Sequence, residues 1–137
     1  MNPHIVLIDN RDSFVYNLVD ALAGYRTTVF RNTVSVEEVL AAQPTLIVLS
    51  PGPGHPRDAG TMMQLIDVTL GRIPILGICL GFQALLEHFG ATVAPCGPVH
   101  GASVPMTLTD DGSHHPIFRG LTTDSEPDKP DYVGRFI

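Results

Sequence analysis

Over the first ninety positions, apolar residues fall into two alternating textures: short unbroken runs, and stretches with apolar residues three and four apart. His4-Ile5-Val6-Leu7-Ile8 is a run too short for a helix and predicts a buried strand. Asp12 or Ser13 can then cap a helix carrying Phe14, Leu18, Ala21 and Leu22 at helical spacing until Gly24 ends it. Arg26 to Arg31, with Thr27, Thr28, Val29 and Phe30, suits a second strand. Ser35 followed three residues later by Glu38 is a capping box that opens a short helix through Ala42, and Thr45 to Leu49 reads as a third strand. Ala59 to Leu70 carries Met62, Leu65, Ile66 and Leu70 at helical spacing, with Gly71 just past its end. Pro74 opens a further strand running up to Cys79, after which Leu80 to Leu86 returns to a helical pattern. Strands separated by helices need crossover connections, so the expected fold is α/β: an open, largely parallel sheet with helices on both faces.

From Gly90 the texture changes. Ala91 to Cys96 and Ser103 to Thr109 read as short strands, with Asp110-Asp111-Gly112 as the clearest turn, so a partial antiparallel extension is expected after residue 90. Thr122 to Asp131 is acidic, Pro-rich and aperiodic, which predicts a surface loop. No internal repeat is present, and the 137 residues are expected to form one domain, long enough to bury roughly two-thirds of its unfolded surface.

Composition narrows the partners. Eight Lys plus Arg against fourteen Asp plus Glu give a net charge of −6, without the basic patch that neutralising phosphates requires, so no nucleic acid is expected to bind. Charge or Gly breaks every apolar stretch well before the length of a membrane span, and Asp9 and Arg11 arrive too early for a signal peptide; the expected location is cytoplasmic, with no membrane contact. Two cysteines, Cys79 and Cys96, do not make a disulfide framework.

The sequence Gly77-Ile78-Cys79-Leu80-Gly81 stands where the last strand pattern gives way to a helix. Gly-x-Cys-x-Gly is the cysteine version of the nucleophile elbow, because flanking glycines leave room for a turn that holds the Cys strained above the sheet. Backbone N–H groups and the positive end of the helix dipole favour negative charge at that sulfur, and the Leu80 N–H is placed to donate into an oxyanion hole. Alone, Cys79 reads first as a small buried residue closing a core strand, which is what most free cysteines in globular proteins are. Ser50-Pro51-Gly52-Pro53-Gly54-His55-Pro56 shifts the balance, since alternating Pro and Gly make a stiff turn whose bare amides a ligand can approach closely. One strand end with a nucleophile and another with exposed N–H groups are the halves of an acyl-transfer site.

A Cys nucleophile ordinarily needs a His to take and return its proton. His4 begins a core strand, and His88 lies about 13 Å along the helix from Cys79. His55 can line the crevice, while His100, His114 and His115 fall in the less regular part. None is marked as the base by its neighbours. Cys96, His100 and the His114-His115 pair match no zinc spacing, so no metal is expected. Asp9 to Ser13 follows a strand but lacks the glycines of a phosphate cradle, and no cofactor is expected.

Leu7-Ile8-Asp9-Asn10-Arg11-Asp12-Ser13-Phe14-Val15-Tyr16-Asn17-Leu18, Ser50 to Gly54 and Gly77 to Gln83 together resemble the three N-terminal motifs of class I (triad) glutamine amidotransferases, over residues 5 to about 123. Within that family the likeness is to the glutaminase subunits of anthranilate synthase and of its para-aminobenzoate counterpart, aminodeoxychorismate synthase. Pro95 to Gly101 and Leu121 to Asp124 lean toward the former. The resemblance implies a flavodoxin-like core, Cys79 as the nucleophile toward the glutamine side-chain amide, and Gly52, Pro53, Gly54, Leu80 and Gln83 as substrate-binding residues. Ammonia would pass to a chorismate-binding synthase subunit.

In the family the base and its orienter form a late His-Pro-Glu tripeptide, whereas here His115-Pro116 is followed by Ile117. The family's Arg-Tyr-His-Ser segment is not matched, and Gly134-Arg135-Phe136-Ile137 stands where its start would be. Residues 1–137 therefore read as the N-terminal two-thirds of the family domain. A catalytically silent module that binds a synthase subunit is the competing expectation. A nucleotide-binding flavodoxin-like domain is a weak third, because the loops after the first and third strands are not phosphate binders.

Overall fold

The computed structural model describes residues 2–95, 104–107, 110–116 and 133–136. Its contacts divide the chain into two units, Met1–Ala94 and Pro95–Ile137.

In the first unit, strands β1 (His4–Asp9), β2 (Arg26–Arg31), β3 (Leu46–Leu49) and β4 (Ile75–Gly77) form one sheet in the order β2-β1-β3-β4. All three pairings are parallel. Helices α1 (Val15–Ala21), α2 (Val36–Ala41) and α3 (Met62–Thr69) make the crossovers, and α4 (Leu80–His88) follows β4. Side chains alternate along a strand, so β1 feeds both faces. Ile5 and Leu7 pack with Val15, Val48 and the partly buried Leu18, Leu22 and Ile78, a layer covered by α1. Val6 and Ile8 face the opposite way, into a larger layer with Ile47, Leu49, Val39, Met62, Leu65, Ile66, Leu80 and Ala84 from α2, α3 and α4. This is the open parallel α/β sheet with helices on both faces that the alternating textures predict.

Boundaries differ where tertiary contacts intervene. The α1 turn is wound from Asp12, whose Oδ1 accepts the Phe14 N–H at 2.8 Å, but regular helix begins only at Val15 and ends at Ala21, before Gly24. The capping box at α2 forms as expected: Ser35 Oγ accepts the Glu38 N–H, and Glu38 Oε2 accepts the Ser35 N–H. Those bonds hold the Glu38 carboxyl below its ordinary pKa, with the Ser35 backbone contributing most. Ser35→Ala is expected to cost about 1 kcal/mol, read as a lower urea midpoint at unchanged slope. Helix α3 starts at Met62 rather than Ala59, because Gly60 (φ +58°) is pressed against the Asn32 backbone and Thr61 donates from both N–H and Oγ1 to the Asn32 carbonyl. A 3-10 turn, Pro56–Asp58, fills the space before it.

In the second unit, β5 (Val104–Thr107) pairs antiparallel with β6 (Val133–Phe136), Val104 opposite Phe136 and Thr107 opposite Val133. An antiparallel pair after residue 90 is thus present, though β6 falls on residues the sequence pattern leaves unassigned. Asp110–His114 is a short helix, α5, rather than the expected turn. Asp110 and Asp111 lie in its first turn, where the helix dipole favours acidic groups, and His114 Nδ1–H donates to the Asp110 carbonyl at 2.7 Å. Residues 91–95 form no regular element where a strand was expected. Cys96, His100, the stretches 96–101 and 121–124, and the expected loop 122–131 lie outside the described residues.

Candidate active site

Strand β4 is short because its chain must turn sharply. Ile78 still donates to the Leu49 carbonyl at 3.0 Å, and the next residue, Cys79, adopts φ 50°, ψ −109°, a conformation that strains any side chain-bearing residue. The following residue opens α4. The flanking glycines are sterically required: a Cβ on Gly77 would sit 2.6 Å from the Gly81 carbonyl carbon, and one on Gly81 would sit 2.5 Å from Leu49 Cβ. Helix α4 thus lies directly on the end of β3, and the elbow pattern has its expected geometric cause. Cys79 is exposed at this turn.

The Pro-Gly turn is brought to the same place. The strand order puts the ends of β1, β3 and β4 side by side, at the point where the connections leaving β1 and β3 run in opposite directions, toward β2 and β4, which is where open α/β sheets form their crevice. Gly52 packs so tightly between Asn10 and α4 that a Cβ there would lie 2.5 Å from Asn10 Cβ and 2.9 Å from Leu80 Cδ2. Pro53 and Gly54 are exposed beyond it, with Gly54 at φ +80°. Leu80 is buried, and its N–H is among the first-turn amides that have no partner within the helix itself. Gln83, half-buried, is one turn further on, with its N–H bonded to the Cys79 carbonyl at 2.9 Å.

A buried polar network holds the turn from beneath. Asn10 donates from its backbone N–H to Ser50 Oγ at 2.9 Å and from Nδ2 to the Ser50 carbonyl at 2.8 Å, and accepts from Asn32 Nδ2 at 3.2 Å. Ser50 Oγ donates onward to the Pro51 carbonyl at 2.8 Å. The Asp9–Ser13 stretch supplies this strut and its own loop turns, Asp9 Oδ1 accepting the N–H groups of Arg11 and Asp12.

The histidines sort by their partners. His4 is buried, bonded to the Ala42 carbonyl and to Thr28 Oγ1. His88 pairs with Asp67 at 2.8 Å. His55, which the sequence leaves unanchored, is tied down: Nδ1 accepts the Arg57 N–H at 3.2 Å and Nε2 donates to the Val93 carbonyl at 3.1 Å, beside Glu87 at 3.5 Å. Among the described residues, no group of three or more His, Cys, Asp or Glu is arranged to hold a metal, and no helix is long and apolar enough to cross a membrane.

Glu87 is the residue the sequence reading misses. It sits on the buried stripe of α4 with Leu80 and Ala84, and its carboxylate takes the Arg57 Nε–H at 2.6 Å and the Val93 N–H at 2.8 Å. The signal was present in principle, as a Glu at i+7 from Leu80 on an apolar face. The Val93 N–H, then Arg57 and His55, hold its carboxyl below the ordinary 4.5 against the opposing effect of burial. A carboxyl lowered in the folded state stabilises above its unfolded value and loses that contribution as pH falls through its folded value. Wild type is therefore expected to lose more stability than Glu87→Gln on acidification from about pH 6 to about pH 3, measured by urea unfolding at each pH.

The comparisons with known proteins fall on the same residues. Over 136 residues the chain is 66% identical to anthranilate synthase component 2 of Corynebacterium glutamicum, covering 98% of this chain and 65% of that protein. It is 41% identical over 124 residues to the Vibrio parahaemolyticus protein of the same name, covering 62% of it. The chain thus spans somewhat under two thirds of these relatives. The crystal structure of a GMP synthase subunit protein from Thermoplasma acidophilum superposes with a TM-score of 0.69 at 25% identity, covering 90% of this chain and 61% of that one. The profile of glutamine amidotransferase class-I matches residues 6–127, a span that takes in the strut at Asn10, the turn at Gly52 and the elbow at Cys79, and the chain belongs to that family.

Proposed function

We propose that this chain is the glutamine-hydrolysing component of an anthranilate synthase. The observation that carries the reading is the contact of Gly52 with Leu80, which sets the Pro-Gly turn beside the strained Cys79 elbow. Cys79 Sγ attacks the carboxamide carbon of glutamine, and the N–H groups of Leu80 and Gly54 receive the oxyanion. Gly52 and Pro53 shape the substrate-facing turn, and Gln83 holds the substrate from α4. The C–N bond breaks, the nitrogen leaves as ammonia with a proton, and water releases glutamate from the thioester. A chorismate-binding partner subunit uses the ammonia.

The likeness to component 2 proteins supports anthranilate over aminodeoxychorismate as the product. A second reading, a partner-binding module without turnover of its own, is favoured by one observation: His4, His55 and His88 all spend ring nitrogens on groups other than Cys79. Co-purification with each of the two chorismate-binding synthase subunits separates these readings. Retention by the anthranilate-forming subunit, with Cys79-dependent labelling by a glutamine analogue, is the expected result. Retention only by the aminodeoxychorismate-forming subunit would overturn the assignment, and retention without labelling would favour the silent module.

A further inference from the structure

The Pro-Gly turn is clamped to α4 at both ends. Gly52 meets Leu80 in the first turn of the helix, while Glu87, about 10 Å further along the axis, holds the far side of the turn. The Glu87 side chain is 5% exposed and faces donors from two segments: Arg57 Nε at 2.6 Å and His55 Nε2 at 3.5 Å from the residues after Gly54, and the Val93 N–H at 2.8 Å from the chain that follows α4. His55 reinforces the clamp by bonding the Val93 carbonyl and capping the Pro56–Asp58 turn through Nδ1. Pro53 and Gly54 are the exposed residues between these two anchors. Packing alone would not select a carboxylate at this position, since burying one costs desolvation that an apolar side chain avoids.

We propose that Glu87 is a positioning residue for glutamine hydrolysis: by holding His55 and Arg57 it fixes the Gly52–Gly54 turn against α4, so that the Gly54 and Leu80 amides converge on one oxyanion. The inference rests on Cys79 being the nucleophile. Its consequence is selective, because loosening the turn slows steps in which negative charge develops on the substrate oxygen and spares steps in which it does not.

Two electrophiles make that distinction at the same sulfur. Iodoacetamide is attacked at its sp3 carbon, a C–S bond forming as iodide leaves, and no oxyanion develops. A chloromethyl ketone analogue of glutamine is attacked at its carbonyl carbon, giving a hemithioketal oxyanion before chloride is displaced and the ketone re-forms. In the full chain, Glu87→Gln replaces one acceptor oxygen with a donor facing N–H groups. It is expected to slow the chloromethyl ketone about 10- to 100-fold while changing the iodoacetamide rate less than about twofold. Arg57→Met breaks the clamp from the exposed loop side, without altering α4, and is expected to show the same selectivity; Arg57→Lys is expected to recover part of it.

Equal rates with both reagents in these variants, or a parallel loss with both, would overturn the inference. Failure of glutamine to protect the wild-type chain from the chloromethyl ketone would instead remove the nucleophile reading, and the inference with it.

Discussion

Assayed alone, the 137-residue chain is expected to release glutamate from glutamine no faster than about 0.001 per second, four orders of magnitude below the roughly 10 per second typical of enzymes. Under the proposed function Cys79 is the nucleophile, and the Leu80 and Gly54 amides are the donors to the oxyanion. None of the described histidines in the first unit is bonded to Cys79. His4 donates Nδ1–H to the Ala42 carbonyl and accepts from Thr28, His88 faces Asp67 on α3, and His55 uses both ring nitrogens to brace the turn. The sequence contains no His-Pro-Glu: its two His-Pro pairs are followed by Arg57 and by Ile117. A thiol needs less help than a hydroxyl to form the acyl intermediate, so slow thioester formation is compatible with the structure; protonating the departing nitrogen and activating water are the steps that stall. Glutamate release measured beside Cys79→Ser checks this. Cys79-dependent turnover near one per second would mean that a histidine of this chain, His55 first, serves as base.

Gly81→Ala is expected to destabilise the fold by about 3 kcal/mol or more and to change the rate at which Cys79 is alkylated. The added methyl would land 2.5 Å from Leu49 Cβ and 2.8 Å from the Leu49 carbonyl carbon. These are core and backbone atoms in the middle of a parallel sheet, so the strain is relieved only by lifting α4 off β3, which opens the elbow. Gly24→Ala is the control. It meets nothing within 4 Å, and its effect is expected to stay within about 1 kcal/mol. Urea unfolding of both variants gives the comparison, and equal midpoints would refute the close helix–strand contact.

What could be read from sequence was what local spacing encodes. The β1 run, the β2 residues between Arg26 and Arg31, the Ser35–Glu38 box and the Gly-x-Cys-x-Gly elbow each depend on residues within a few positions of one another, and each takes the expected form. The late start of α3 does not, since Gly60 is held by Asn32, a residue 28 positions earlier on another loop. Asp110-Asp111-Gly112 fits a turn and a helix start equally well by composition, and the helix is what forms. At the site, Cys79 and the Pro-Gly turn were separately visible. Their meeting at Gly52 and Leu80 follows from the strand order, which spacing cannot encode. Glu87 was hidden for the same reason, its donors lying 30 residues before it and six after.

In the proposed function the end of β4 presents Cys79 to glutamine. Intact-mass and peptide mapping of the chain during limited iodoacetamide treatment near neutral pH, with and without glutamine, tests it most directly. The expected result is modification of Cys79 before Cys96, slowed by glutamine and not by asparagine. Modification of Cys96 first, or a Cys79 rate indifferent to glutamine, would contradict it.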